Sequence, residues 1–259
     1  EYMSDKIGKS HHFRKISDWL SVNGQAVTNA SKATMEDAIK ADIGQLYDGV
    51  FVMFHRKNDD NPLAVRVSSW ASYQNSGEIA DGVLLVEGGR HLVIAPTESS
   101  GAKWSSKPVS DSNMSGSVQI SGVTTTGDRI TALNDFAGQA NTTAIINAST
   151  SSNVTNTNDY AAGFCNKYSR ANANGKGLLA GRWWLPSIGE MAMIWANLDK
   201  INYALSKISG ATQLQETWYW SSTQGSANNA WLLYLPAGIM YNYWKFLQRR
   251  VRPVSAFLY

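Results

Sequence analysis

Four histidines and one cysteine bound the catalytic and metal chemistry open to this chain. His11, His12, His55 and His91 fall in no metal-binding pattern such as H-E-x-x-H, where two histidines share one helix face. Structural or solvent-facing roles are expected for all four. Cys165 sits between Phe164 and Asn166 with no second cysteine, which excludes an intrachain disulfide and a cysteine-based zinc site. It reads as a small buried filler. No G-x-S-x-G nucleophile elbow is present. Gly175-Lys176-Gly177 lacks the spacing of a phosphate loop and reads as a turn. From Ser209 to Tyr259 the only acid is Glu216. Calcium takes six to eight oxygen ligands, so that stretch cannot build a calcium site alone. No enzyme activity, no metal and no other cofactor are expected.

The residue types that remain are aromatic. Ten tryptophans occur, seven of them from Trp183 onward. Trp231, Tyr234, Tyr241, Tyr243, Trp244 and Phe246 crowd a stretch that also holds Asn228, Asn229, Leu232, Met240 and Asn242. In Ile239 to Trp244 both parities of a strand carry large groups. A half-buried strand should alternate with polar residues. The surplus points to an exposed aromatic patch, hence a binding surface. Tyrosine and tryptophan give contact area at low entropy cost. The competing reading is a second buried face. Lys245, Arg249, Arg250 and Arg252 make too small a basic patch for nucleic acid. At least one of these arginines is expected to bond backbone carbonyls.

The elements that must position this patch are legible in part. Thr34 caps a helix expected to run to about 44–46, with Met35, Ala38, Ile39, Ile43 and Leu46 at helical spacing. Strands are expected at Gly49 to Phe54 and Leu63 to Val67, around a turn at Asp59-Asp60-Asn61-Pro62. Gly82 to Glu87 and His91 to Ala95 read as a hairpin turned by Gly88-Gly89. Residues 97–127 read as a long loop and Asn141 to Asn158 as a polar connector. Ile130, Leu133 and Phe136 are spaced for a helix, and another is expected at Tyr160 to Tyr168. Ser187 and Glu190 form a capping box opening a helix that buries Met191, Ile194, Trp195 and Leu198. Ile201, Leu205 and Ile208 follow, closed by Gly210. Strands are then expected at Trp218 to Ser222, Ala230 to Leu235, Ile239 to Trp244 and Arg250 to Val254, the second and third joined at Pro236-Ala237-Gly238. Strands, then helices, then strands give an α+β fold with the N- and C-terminal strands in one antiparallel sheet.

The chain has 259 residues, 43% hydrophobic and 17% charged, with net charge +3. It can bury a sizeable core. The weak charge argues against a nucleic-acid partner held by bulk electrostatics. No run of about 18 apolar residues is present, so no membrane insertion is expected. The start, Glu1-Tyr2-Met3-Ser4, has no signal-peptide pattern. Residues 1–47 are read as a linking or oligomerising segment and 48–259 as the binding domain.

Gly181-Arg182-Trp183-Trp184-Leu185-Pro186-Ser187 with Glu190 resembles a segment of the formylglycine-generating-enzyme-like C-type lectin folds. Trp218 to Thr223, Ala230-Trp231, Gly238 and Arg250 to Val254 are similar to the major-paralogous-domain branch of that fold. The resemblance spans roughly 79–259. Some members of that branch are variable proteins of diversity-generating retroelements. Their C-terminal segment keeps a scaffold and varies the residues between. Trp220, Ser221, Ser222, Ala230, Trp231, Gly238, Arg250 and Arg252 stand at scaffold-like positions here. The resemblance implies a variable-type face at about 224–249, with ligand-binding residues Gly225, Asn229, Leu232, Tyr234, Ile239, Tyr241, Tyr243, Trp244, Phe246 and Arg249. It implies a receptor-binding tip on a phage tail fibre or a bacterial surface, a protein or glycan receptor, and a homotrimer. Two departures limit it. The oxidase branch uses paired cysteines, and only Cys165 is present. The E-P-N, Q-P-D and W-N-D triplets of calcium-dependent lectins are absent, Leu133-Asn134-Asp135 being no substitute.

Three function classes follow. The first is a non-enzymatic receptor-binding protein with a diversified face, in the virion or on a cell. The second is a calcium-independent lectin or adhesin with a fixed ligand. The third is an enzyme with an unrecognised site. The side chains from Leu232 to Arg249 named above are expected to lie mostly exposed on one surface, with Trp183, Leu185 and Trp220 in the core.

Overall fold

Val50 to Phe54 is an unbroken apolar run, and such a run forms a strand that is covered on both faces. In the computed structural model it is an inner strand of a five-stranded sheet, between Pro62–Arg66 and Ala80–Glu87. The structure describes residues 21–22, 25–26, 48–106, 119–148 and 156–256. Contacts divide the chain into two units, Glu1–Tyr47 and Asp48–Tyr259. In the first, strands Ser21–Val22 and Gln25–Ala26 pair antiparallel. The helix expected at 34–46, His11 and His12 lie outside the described residues.

In the second unit, β1 (Gly49–His55) and β2 (Pro62–Arg66) form a hairpin, followed by α1 (Trp70–Asn75). Next come β3 (Ala80–Glu87), β4 (Arg90–Ile94) and β5 (Ser99–Lys103). Three helices follow: α2 (Arg129–Leu133), α3 (Gly138–Asn147) and α4 (Ala161–Lys167). Short strands β6 (Arg170–Ala171) and β7 (Gly177–Leu178) flank the turn at Gly175. Helices α5 (Ile188–Ala196) and α6 (Leu198–Leu205) precede the last strands. These are β8 (Trp218–Gln224), β9 (Asn229–Tyr234), β10 (Ile239–Trp244), β11 (Gln248–Val251) and β12 (Val254–Ala256).

The fold is α+β, with two five-stranded sheets that are mostly antiparallel. One has the order β12-β4-β3-β1-β2 and so holds both the first and last strands of the unit. The other has the order β10-β9-β8-β11-β5. Its one parallel pairing sets Tyr219 opposite Arg250. Trp184 joins the sheets to the helical region, exchanging backbone bonds with Val254 at 2.8 and 3.0 Å.

Two cores result. The larger gathers Val52, Phe54, Val83 and Leu85 with Ile188, Met191, Ile194, Ile201 and Leu205 of α5 and α6. It also takes Tyr219, Trp231, Leu233 and Met240 from one face of the second sheet. The smaller packs the opposite face, Trp220, Ala230, Leu232 and Val251, against Trp104, Ile145, Cys165 and Leu185. Strands β8 and β9 are therefore covered on both sides. Trp183, Leu185 and Trp220 are all buried. Trp183 donates its indole N–H to the carbonyl of Leu178 at 2.8 Å, and Trp220 donates to that of Ala102 at 3.1 Å.

Local signals explain the frame. The Gly88-Gly89 turn has φ of 56° and 76°, the left-handed region that glycine enters without strain. The capping box forms in full: Ser187 N–H donates to Glu190 Oε2 at 2.8 Å, and Glu190 N–H donates back to Ser187 Oγ at 3.4 Å.

Several expectations are corrected. The 97–127 loop contains β5, which forms because β11 pairs with it (Gln248 opposite Lys103). The polar connector from Asn141 begins inside α3. Its polar face is buried yet satisfied, Asn141 Nδ2 reaching Asp135 Oδ2 at 2.9 Å and Thr142 Oγ1 reaching the Leu185 carbonyl at 3.3 Å. Ile130, Leu133 and Trp195 are exposed rather than buried. The final strand is two strands in different sheets, separated at Arg252-Pro253.

Candidate functional site: an aromatic sheet edge

The second sheet ends, among the described residues, at β10. Its register against β9 pairs Tyr234 with Ile239, Leu232 with Tyr241, Ala230 with Tyr243 and Asn229 with Trp244. Paired residues share a face. Ile239, Tyr241 and Tyr243 therefore continue the face that carries Trp218, Trp220, Leu232 and Tyr234. The smaller core runs beneath β9 and, of β10, takes only Tyr243 at its margin. The β10 side chains reach past it, leaving Ile239 and Tyr241 half exposed.

Six rings run along this edge. Tyr234 and Trp218 lie 5.0 Å apart, and Trp218 meets Tyr241 edge-on at 6.4 Å. Tyr241 contacts Tyr243 at 5.6 Å. Tyr243 stacks on Trp244 at 5.2 Å and Trp244 on Phe246 at 5.8 Å, with interplanar angles of 17° and 19°. Arg249 places its guanidinium 5.9 Å from the Tyr243 ring. Offset contacts of this kind hold rings in fixed orientations, so the surface is preorganised.

The structure thus brings Tyr234, Ile239, Tyr241, Tyr243, Trp244, Phe246 and Arg249 to one edge, but only Ile239, Tyr241 and Trp244 have the exposure expected of them; Tyr234, Tyr243, Phe246 and Arg249 are half-buried. The exposure expected of Leu232 is corrected: it is 2% exposed and lies in the smaller core. Its parity matches that of Tyr241, but it sits one strand further from the edge. Gly225 and Asn229 lie at the β8–β9 turn, beside the end of β10. A Cβ at Gly225 would overlap the Asn242 amide, so glycine leaves the space that Asn242 occupies. Asn229 Oδ1, Asn242 Oδ1 and Arg249 Nε are buried without a hydrogen-bond partner among the described residues. Trp218 was not among the expected site residues. Its alternation with Trp220 was the signal that could have placed it on this face.

Charged residues brace the edge from behind. Lys245 is fully buried, donates to Gln224 Oε1 at 2.7 Å and lies 4.3 Å over the Trp104 ring. Burial pulls its ammonium down to about 7. Arg252, also buried, donates to the carbonyls of Ala95 at 2.9 Å and Thr212 at 3.0 Å, the backbone role expected for one of the arginines. Both Arg250 and Arg252 pair with Glu98, each at 2.8 Å. Burial pushes the Cys165 thiol up, which leaves it a poor nucleophile. His55 lies 2.7 Å from Asp81. No helix among the described residues is long and apolar enough to cross a membrane.

No family model matches the chain, and no curated protein matches it. Among solved structures, a fimbrial protein from Bacteroides ovatus is similar, with a TM-score of 0.43 and 19% sequence identity. The alignment covers 64% of this chain, which spans about 36% of the length of that protein.

Proposed function

We propose that the chain is a non-enzymatic binding module that presents the β10 edge to a protein or glycan receptor on a bacterial surface. In this reading the domain is C-type lectin-like, of the variable-protein kind, with varied positions on and around β10. A display site at a phage tail-fibre tip or on a bacterial surface, and a homotrimeric assembly, belong to the same reading. The observation that carries it is the run of six rings from Tyr234 to Phe246, in which Tyr241 is 51% and Trp244 38% exposed. Exposed, mutually braced aromatic rings are typical interface anchors, worth roughly 2 kcal/mol or more each when removed.

The test separates binding from folding. Fluorescently labelled protein is titrated onto a panel of intact bacterial cells, with Tyr241→Ala and Trp244→Ala alongside. Both variants should lose cell binding while their melting temperatures stay within a few degrees of the parent. Melting that collapses in both variants identifies the rings as core and sinks the proposal. Retained cell binding does the same.

A further inference from the structure

A cleft of about 470 Å³ opens elsewhere on the unit, lined by Arg90, His91, Phe136, Gln139, Trp184 and Glu190 among others. None of the β10 residues borders it. The first residue of β4 is Arg90; the α2–α3 linker supplies Phe136, the first turn of α3 Gln139 and α5 Glu190. The volume lies in the range of small-ligand sites, roughly 300–1,000 Å³.

Its polar groups are few and convergent. The Arg90 guanidinium lies 3.8 Å over the Phe136 ring. It makes no hydrogen bond or ion pair among the described residues, so its N–H groups are available while stacking fixes its plane. Such a fork matches a carboxylate. Gln139 is exposed, and its amide is likewise unengaged among the described residues. Glu190 is held by the cap: its Oε2 accepts from Ser187 N–H at 2.8 Å and from the Trp184 indole at 3.2 Å. Oε1 is left for a ligand. A Cβ at Gly138 would overlap the same carboxyl, so this glycine permits the close approach of α3. Glu190 is the one acid in the lining, and it adds least repulsion to an anion at Arg90 when protonated. Burial pushes its carboxyl up to about 7, and in that range it can donate as well as accept a hydrogen bond.

Little aromatic surface is on offer. One face of Phe136 is covered by Arg90, and the Trp184 ring is almost wholly buried. Leu92, Ala137, Ala140, Met193 and Ala256 complete the lining with aliphatic surface, so polar recognition falls to Arg90, Gln139 and Glu190. We infer that the cleft binds a hydroxylated carboxylate of monosaccharide size, such as a hexuronic acid, with the carboxylate on Arg90 and hydroxyls on Gln139 and Glu190. This site is separate from the β10 edge and stands or falls independently of it.

The probes are glucuronate, glucose and benzoate, titrated into the full chain by calorimetry, with the Trp184 indole N–H signal followed by NMR. Glucuronate should bind saturably and move that signal. Glucose lacks the carboxylate and benzoate the hydroxyls, so each should bind at least about tenfold more weakly. Arg90→Gln should weaken glucuronate by about tenfold or more, and Gln139→Ala by a smaller factor. Both residues are exposed, so both variants should fold, which their melting curves check. Absence of saturable glucuronate binding up to about 10 mM, equal binding of glucose, or an unchanged Arg90→Gln variant would each overturn the assignment.

Discussion

Leu232 and Tyr241 are direct cross-strand partners on the same face of one sheet, yet Leu232 is 2% exposed and Tyr241 51%. Local pattern cannot tell them apart, since paired residues point the same way. What separates them is one strand spacing. The smaller core reaches under β9 and as far as Tyr243, and the Ile239–Tyr241 part of β10 overhangs it. The binding reading depends on that overhang, and the framework behind it makes its own predictions.

Glu98 holds the buried end of this framework. It accepts from Arg250 and Arg252 at 2.8 Å and from the Tyr219 hydroxyl at 2.7 Å. Removing one partner of a buried pair strands the other charge, at a cost of about 3–5 kcal/mol. Glu98→Ala should therefore lower stability by about that amount in urea unfolding. A loss below about 1 kcal/mol would show that Arg252 is satisfied by its two backbone carbonyls alone.

Trp220 fills the smaller core and donates to the Ala102 and Leu247 carbonyls. Trp220→Ala should cost about 3–5 kcal/mol. A melting curve that does not move would refute its place in the core.

Gly238 turns β9 into β10 with φ of 64°, and a Cβ there would overlap the Trp195 ring. The left-handed conformation alone costs a non-glycine residue about 1–2 kcal/mol. Gly238→Ala should exceed that cost because of the ring. Trp195 is 41% exposed, so Trp195→Ala should be mild alone and should recover part of the loss in the double variant. Additive effects in that cycle would show that the ring is not what the new methyl meets.

Stability should pass through a minimum near neutral pH. Burial raises the Glu190 carboxyl from 4.5 to about 7, with nearby Asp135 adding to it. Its contribution is therefore fully present below about 4.5 and lost as pH rises through about 7. Burial lowers the Lys245 ammonium from 10.5 to about 7. That contribution is present above about 10.5 and lost as pH falls through about 7. Urea midpoints measured at about pH 5, 7 and 9 should trace the minimum. Glu190→Gln, which keeps the cap geometry, should flatten the acid side, and Lys245→Met the alkaline side. Parent and variants with the same profile would count against both shifts.

Features set by a few neighbouring residues could be read directly from the amino-acid order. The Ser187–Glu190 capping box, the Gly88-Gly89 turn, the left-handed glycines at 210 and 238 and the α+β order of elements are of this kind. Burial of Trp183, Leu185 and Trp220 was legible too, as large apolar side chains favour the interior, although the same rule misplaced Trp195. The excess of aromatic residues in β8 to β10 was visible as a surplus, but not its division. Part of it fills two cores on opposite faces of β8 and β9, and part overhangs at β10. That division follows from strand order, which is set by partners far apart in the chain. The same non-local cause made a strand of Ser99–Lys103 when β11 came to lie beside it, and made α3 of a polar stretch once Asp135 and the Leu185 carbonyl could satisfy its buried side chains. Parity along a strand is a local property. Depth below the surface is a property of the whole sheet, and only the tertiary structure supplies it.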